Sequence, residues 1–213
     1  MQKRRQVLTL TSSGKFTISL AWEALRDKRA SLGSRKLIWD HRVPCKISIF
    51  MWKMLNKYLP FPEVLNKFGF QLPLQSQFCQ IEETQNCLLS DCPFAMTVWD
   101  FYSRVLQLRV SSSSSMLYRL QHWWYYRSFH SARGELLTVL PSIISWELWK
   151  ARNHSFYEGG YINSMQVCRN VQMSILSISQ AIPFVQVTRE DSLLLHSGLV
   201  SQLHGKSPRF GSQ

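Results

Sequence analysis

Residues 76–99 read SQFCQIEETQNCLLSDCPFAMTVW and divide into two parts at Pro93. Before it, Cys79, Cys87 and Cys92 fall at short intervals, the way a small irregular loop collects soft ligands around one metal ion. From it onward, Phe94, Val98, Phe101 or Tyr102, and Val105 form a stripe at helical spacing, and a proline suits a first helical turn. The spacing therefore predicts a cysteine loop set among helices, with Cys92 at a helix N-terminus, which favours its thiolate. A tetrahedral site needs four ligands. The place where the first cysteine of a Cys-x-x-Cys pair would stand is held by Ser76, so the loop is the outline of a zinc site with one ligand missing.

Upstream, Pro44 opens the best helical pattern in the chain. Ile47, Phe50, Met51, Met54, Leu55 and Tyr58 form one broad apolar face, while Lys46, Lys53 and Lys57 line its flank. Such a ridge is either the solvated border of a core face or a surface that contacts phosphates. Leu59-Pro60 ends this helix, and Pro62 starts a short one through Phe68, closed by Gly69. Nearer the N-terminus, Gln6 to Ile18 alternates around Ser12-Ser13-Gly14 and predicts a short β arm, after which Ser19 caps a helix through about Arg29.

Downstream, the serine run 111–115 predicts a linker. Beyond it, Trp123, Trp124, Tyr125, Tyr126 and Phe129 are interleaved with Arg119, His122 and Arg127. So dense a cluster serves core or partner packing, or stacks on unpaired bases. Glu135 to Asn153 reads as a long helix kinked or restarted at Pro141. A further helix over Ser164 to Gln180 aligns Val167, Val171, Ile175 and Ile178, and after Pro183 the pattern fades into an expected disordered tail. The fold class expected is mainly α, a multi-helix domain with a short N-terminal β arm and an irregular cysteine loop. Its parts are residues 1–110, a linker 111–115, a helical connector 116–182 and the tail 183–213.

The order Glu83, Thr84, Cys87, Leu88, Cys92, Pro93, Phe94, Ala95, Val98, Trp99 resembles the reverse transcriptase zinc-binding domain of plant LINE-type retrotransposon polyproteins. The string GKFTISLAWEALRDKR at 14–29 and the run from Lys36 to Pro60 resemble the same domain, and ISWELWKARNHSFYEGG at 144–160 resembles the connector that leads towards a ribonuclease H domain. The resemblance implies a Cys-x2-Cys, spacer, His-x4-Cys ligand set. Ser76 then takes the first position, Cys79 the second, Cys87 replaces the histidine, and Cys92 is the last. Cysteine for histidine keeps a zinc ligand; serine for cysteine does not, so zinc is expected at low occupancy.

Charge and composition limit the function. A net charge of +12 argues for an anionic partner, and nucleic acid, RNA or DNA, is the commonest. The charge is uneven: residues 76–100 hold no Lys or Arg and four acids, so any phosphate-binding face belongs to the surrounding helices, with Lys46, Lys53 and Lys57 as its candidates. An odd cysteine count, Cys45 and Cys168 far from the loop, and no secretory signal at MQKRRQVL suggest an intracellular protein, nuclear or cytoplasmic. No apolar run reaches transmembrane length, so no membrane partner is expected. The sequence has no Asp-Asp pair for a polymerase and too few late carboxylates for a ribonuclease H site, so no enzyme is expected. Two functions are consistent with these residues: a non-catalytic nucleic-acid-associated accessory domain with a degenerate zinc loop, or a helical protein-interaction or structural module acting through residues 116–180, with neither metal nor nucleic acid.

Overall fold

The computed structural model describes residues 33–109, 115–127, 131–182 and 184. The chain divides into two compact units, Met1–Gly33 and Ser34–Gln213, and the architecture below is that of the second. The expected β arm, the helix from Ser19, most of the serine linker and the tail after Phe184 lie outside the described residues, while Phe184 itself, expected in a disordered tail, is buried in the core.

A 3-10 helix, Gly33–Trp39, leads to α1, Cys45–Leu55. Pro44 is its N-cap, and α1 buries Ile47, Phe50, Met51 and Met54, the face set by the apolar spacing. The short α2, Pro62–Asn66, starts on its proline and is followed by Gly69 in the left-handed region at φ 88°. After the cysteine loop come α3, Pro93–Val105, and α4, Met116–Tyr125. The centre of the molecule is α5, Ala132–Glu158, whose residues 136–145 are all buried; α6, Ser164–Ala181, packs along it.

A helix surrounded on every side needs apolar residues all round rather than one stripe, and that is what Leu136 to Leu148 supplies. Pro141 neither ends nor restarts α5, although the sequence predicts a kink or a restart there. The ring removes one ladder hydrogen bond, a loss of about 3 kcal/mol in an isolated helix, but burial of the flanking leucines and isoleucines outweighs it. In the turn before the proline, the Trp124 indole N–H donates to the Thr138 carbonyl at 3.2 Å.

One hydrophobic core joins residues from both sides of the serine run: Met51 and Met54 of α1, Val98 and Trp99 of α3, Trp123 of α4, Leu140 and Ile144 of α5, and Val171 of α6. Buried polar groups tie the helices to each other. The Tyr102 hydroxyl donates to the Cys168 carbonyl at 2.7 Å, and Ser174 donates to Glu147 at 2.9 Å. Among the described residues no helix is long and apolar enough to cross a membrane.

Candidate functional site: the cysteine loop and the basic face

The loop is built from two local turns. In the first, Gln75 and Glu82 form an antiparallel bridge, with the Ser76 N–H donating to the Ile81 carbonyl at 2.7 Å. The chain reverses through Gln80, held in the left-handed region at φ 59°, and this reversal carries Cys79 at its tip. Ser76 is 1 % exposed and its hydroxyl accepts from the Phe78 N–H at 3.3 Å, so the serine is a folded part of the turn. In the second, Thr84 caps the next turn through the Cys87 N–H, and residues Cys87–Asp91 wind as a π-helix. The Cys92 N–H donates to the Cys87 carbonyl at 2.9 Å, which closes the five-residue turn between these two cysteines. Cys92 then caps α3, its sulfur accepting from the Ala95 N–H at 3.4 Å.

These turns bring the loop's three thiols together. Cys79 Sγ and Cys87 Sγ stand 3.3 Å apart, and Cys92 and the Ser76 hydroxyl are close enough to influence Cys79. Burial raises the Cys87 thiol, and its neighbours Cys79 and Cys92 add to this, pushing it up to about 12. Burial also raises Cys92. For Cys79, burial is outweighed by hydrogen bonds from the Ile81 backbone, Cys87, Ser76 and Cys92, and its pKa is lowered. Of the pair, Cys79 is thus the sulfur that carries a negative charge more readily. Cys45 is exposed on α1 and Cys168 is buried on α6.

Donor types and spacing give different answers about a metal. Three thiols and a hydroxyl are a set zinc accepts, with one weak member. Zinc–sulfur bonds of about 2.3 Å in a tetrahedron hold sulfurs about 3.8 Å apart, wider than the pair at Cys79 and Cys87. Among the described residues no group of three or more His, Cys, Asp or Glu stands in metal-holding geometry. The loop is a cluster of converging thiols whose chemistry suits zinc and whose spacing is that of hydrogen-bonded sulfurs.

Glu83 is buried within the loop. It is 4 % exposed and receives Arg152 of α5 in a forked contact, Nη2 to Oε2 at 2.6 Å and Nε at 3.1 and 3.2 Å. Glu82 is exposed. The signal was present as Glu83 in the loop motif and Arg152 in the later string, but nothing in a single sequence joins positions so far apart. Further contacts clamp the loop: Phe78 stacks on Phe94 with centroids 4.2 Å apart, and the Asn86 side chain accepts from the Met116 N–H. Arg119, interleaved with the aromatics after the serine run, is buried, donating to the Ser90 hydroxyl at 3.0 Å and lying over Trp99, which accords with core packing. Trp123 and Trp124 are buried too, whereas Tyr125 is exposed.

Lys46 and Lys53 are exposed on α1, and Lys57 is exposed in the turn after it. Lys57 sits at φ 59°, with its N–H on the Met54 carbonyl and the Tyr58 N–H on the Lys53 carbonyl, a Schellman turn with lysine where glycine is usual. Lys57 lines a cleft of about 370 Å³ together with Thr84, Gln85 and Asn86, so the basic ridge that starts on α1 ends beside the residues that lead into the cysteine loop.

No curated protein and no solved structure matches this chain. Residues 16–99, which contain the cysteine loop and all three lysines of the ridge, match the family described as zinc-binding in reverse transcriptase.

Proposed function

We propose that the protein is a retrotransposon-derived, non-catalytic accessory domain that associates with nucleic acid and carries a weakened zinc site. The observation that supports this reading is the shared cleft: Lys57, at the end of an exposed lysine ridge, lines it together with Thr84, Gln85 and Asn86, which lead directly into Cys87. Cys79, Cys87 and Cys92 would hold zinc, with Ser76 nearest the fourth position. Bound zinc supplies a cross-link whose binding energy is folding energy. Glu83, the buried carboxylate of the loop, is engaged by Arg152 in a forked ion pair. An accessory role fits that arrangement better than catalysis.

A second reading, a helical module for a protein partner, is favoured by the exposed rings of Tyr118 and Tyr125 on α4 and of Tyr161, and by exposed Met165 and Met173 on or beside α6. Salt dependence separates the two. Neutralising phosphates releases counterions, so affinity for nucleic acid falls steeply and nearly independently of sequence as salt rises. Replacing Lys46, Lys53 and Lys57 with Gln should flatten the log–log slope by about two units on a single strand and about three on a duplex. Fluorescence anisotropy with labelled oligonucleotides reads this out, and an unchanged slope transfers support to the interaction module.

A further inference from the structure

The outer side of α1 carries more than charge. With Ile47, Phe50, Met51 and Met54 in the core, the opposite face presents Lys46, Ile49, Trp52 and Lys53 at three- and four-residue steps, one exposed ridge. Trp52 is 44 % exposed and Tyr58 60 %, and their rings meet edge to face with centroids 5.7 Å apart. The pairing itself has a structural cause. In a Schellman turn the residue after the left-handed position folds back over the last helical turn, and here that residue is Tyr58 and its neighbour is Trp52. What the turn does not explain is that both rings keep open surface while alternating with Lys46, Lys53 and Lys57.

We infer that this ridge is a platform for single-stranded nucleic acid: Trp52 and Tyr58 stack on unpaired bases while Lys46, Lys53 and Lys57 hold the flanking phosphates. The inference rests on the nucleic-acid reading above and narrows its ligand. A duplex offers phosphates but keeps its base faces within the stack, so it leaves exposed rings without a partner. A single strand offers both, and ring stacking is tolerant of sequence because every base has a flat face. The positive charge of the ridge selects an anionic chain over an apolar peptide. Lys57, which lines one cleft with Thr84, Gln85 and Asn86, leads the strand towards the cysteine loop.

The test uses the full chain, a labelled oligodeoxythymidine and a duplex of the same length, with anisotropy read across a salt series. The expected result is tighter binding to the single strand, and Trp52→Leu and Tyr58→Leu each lowering that affinity about tenfold with duplex affinity and salt slope unchanged. Leucine keeps an apolar contact in the turn, and circular dichroism with a thermal melt confirms the fold. Where a leucine variant melts early, Trp52→Phe and Tyr58→Phe carry the test, since a retained ring keeps affinity within about twofold of wild type. A loss from phenylalanine as large as from leucine overturns stacking. Equal affinity for strand and duplex, with the leucine variants unchanged, overturns this inference and leaves the nucleic-acid reading standing. Binding to neither, or binding to polyglutamate in their place, overturns both.

Discussion

At Lys57 the demands of folding and of function conflict. A left-handed conformation costs an L-residue about 1–2 kcal/mol, and glycine recovers this less its own entropy cost of about 0.5–1 kcal/mol. Lys57→Gly should therefore raise stability by about 0.5–1 kcal/mol in urea unfolding. The same variant should weaken nucleic-acid binding, because it removes one positive charge of the exposed ridge. A loss of stability would mean that the lysine side chain is held by contacts the turn does not reveal. Asp40 is a second residue where a charge is placed for the fold. Burial opposes its ionisation, but hydrogen bonds from the Arg42 side chain and backbone outweigh burial and lower its pKa below 3.8, while Arg42 also reaches Glu135 of α5. A carboxyl with a lowered folded pKa contributes stability that is complete above its unfolded value and is lost as pH falls through the folded value. Stability should decline below about pH 4, and Asp40→Asn should flatten that decline in acid-unfolding curves followed by circular dichroism.

Between elements, the Glu83–Arg152 pair is the strongest single tie between the cysteine loop and α5. Both side chains are almost fully buried, at 4 % and 2 %. Removing one partner strands the other charge without solvent, so Arg152→Met should cost about 3–5 kcal/mol in denaturant unfolding. Glu83→Gln combined with Arg152→Met should recover much of that loss, since a neutral pair of similar volume is often tolerated. A double variant as unstable as the single one would place the cost in packing, including the guanidinium lying 4.2 Å from the Phe156 ring centroid. This pair also marks where the sequence stops being legible. The faces of α1, α3 and α6 follow from apolar spacing at Ile47, Phe50 and Met54, at Val98 and Tyr102, and at Val167, Val171 and Ile175, because one-sided burial writes a period of 3.6. The Cys92 cap follows from Pro93 in the same way. The course of α5 through Pro141 and the burial of Glu83 and Arg119 depend on tertiary partners, which leave no local period.

For the whole molecule, the segment that matches the zinc-binding family is buttressed by helices beyond it. Trp99 meets Trp123, Ser90 meets Arg119, Glu83 meets Arg152, and one core spans α1 to α6. Spacing alone singles out Cys79, Cys87 and Cys92, with Ser76 at the position of a fourth ligand. The thiol pairing at 3.3 Å is not legible from spacing, because the reversal at Gln80 and the π-turn after Asn86 are set by backbone geometry. The claim that joins these levels is that Ser76, Cys79, Cys87 and Cys92 converge as a zinc site lacking one soft ligand, inside a body rigid enough for the loop to report on overall stability. Zinc affinity and melting temperature of the full chain, compared between wild type and Ser76→Cys, test it most directly. Wild type should bind zinc weakly, and Ser76→Cys should bind it more tightly with a higher melting temperature in zinc, the two rising together because binding energy at a structural site is folding energy. If the substitution changes neither affinity nor melting temperature, the four positions do not share one metal, and the loop is not the remnant of a zinc site.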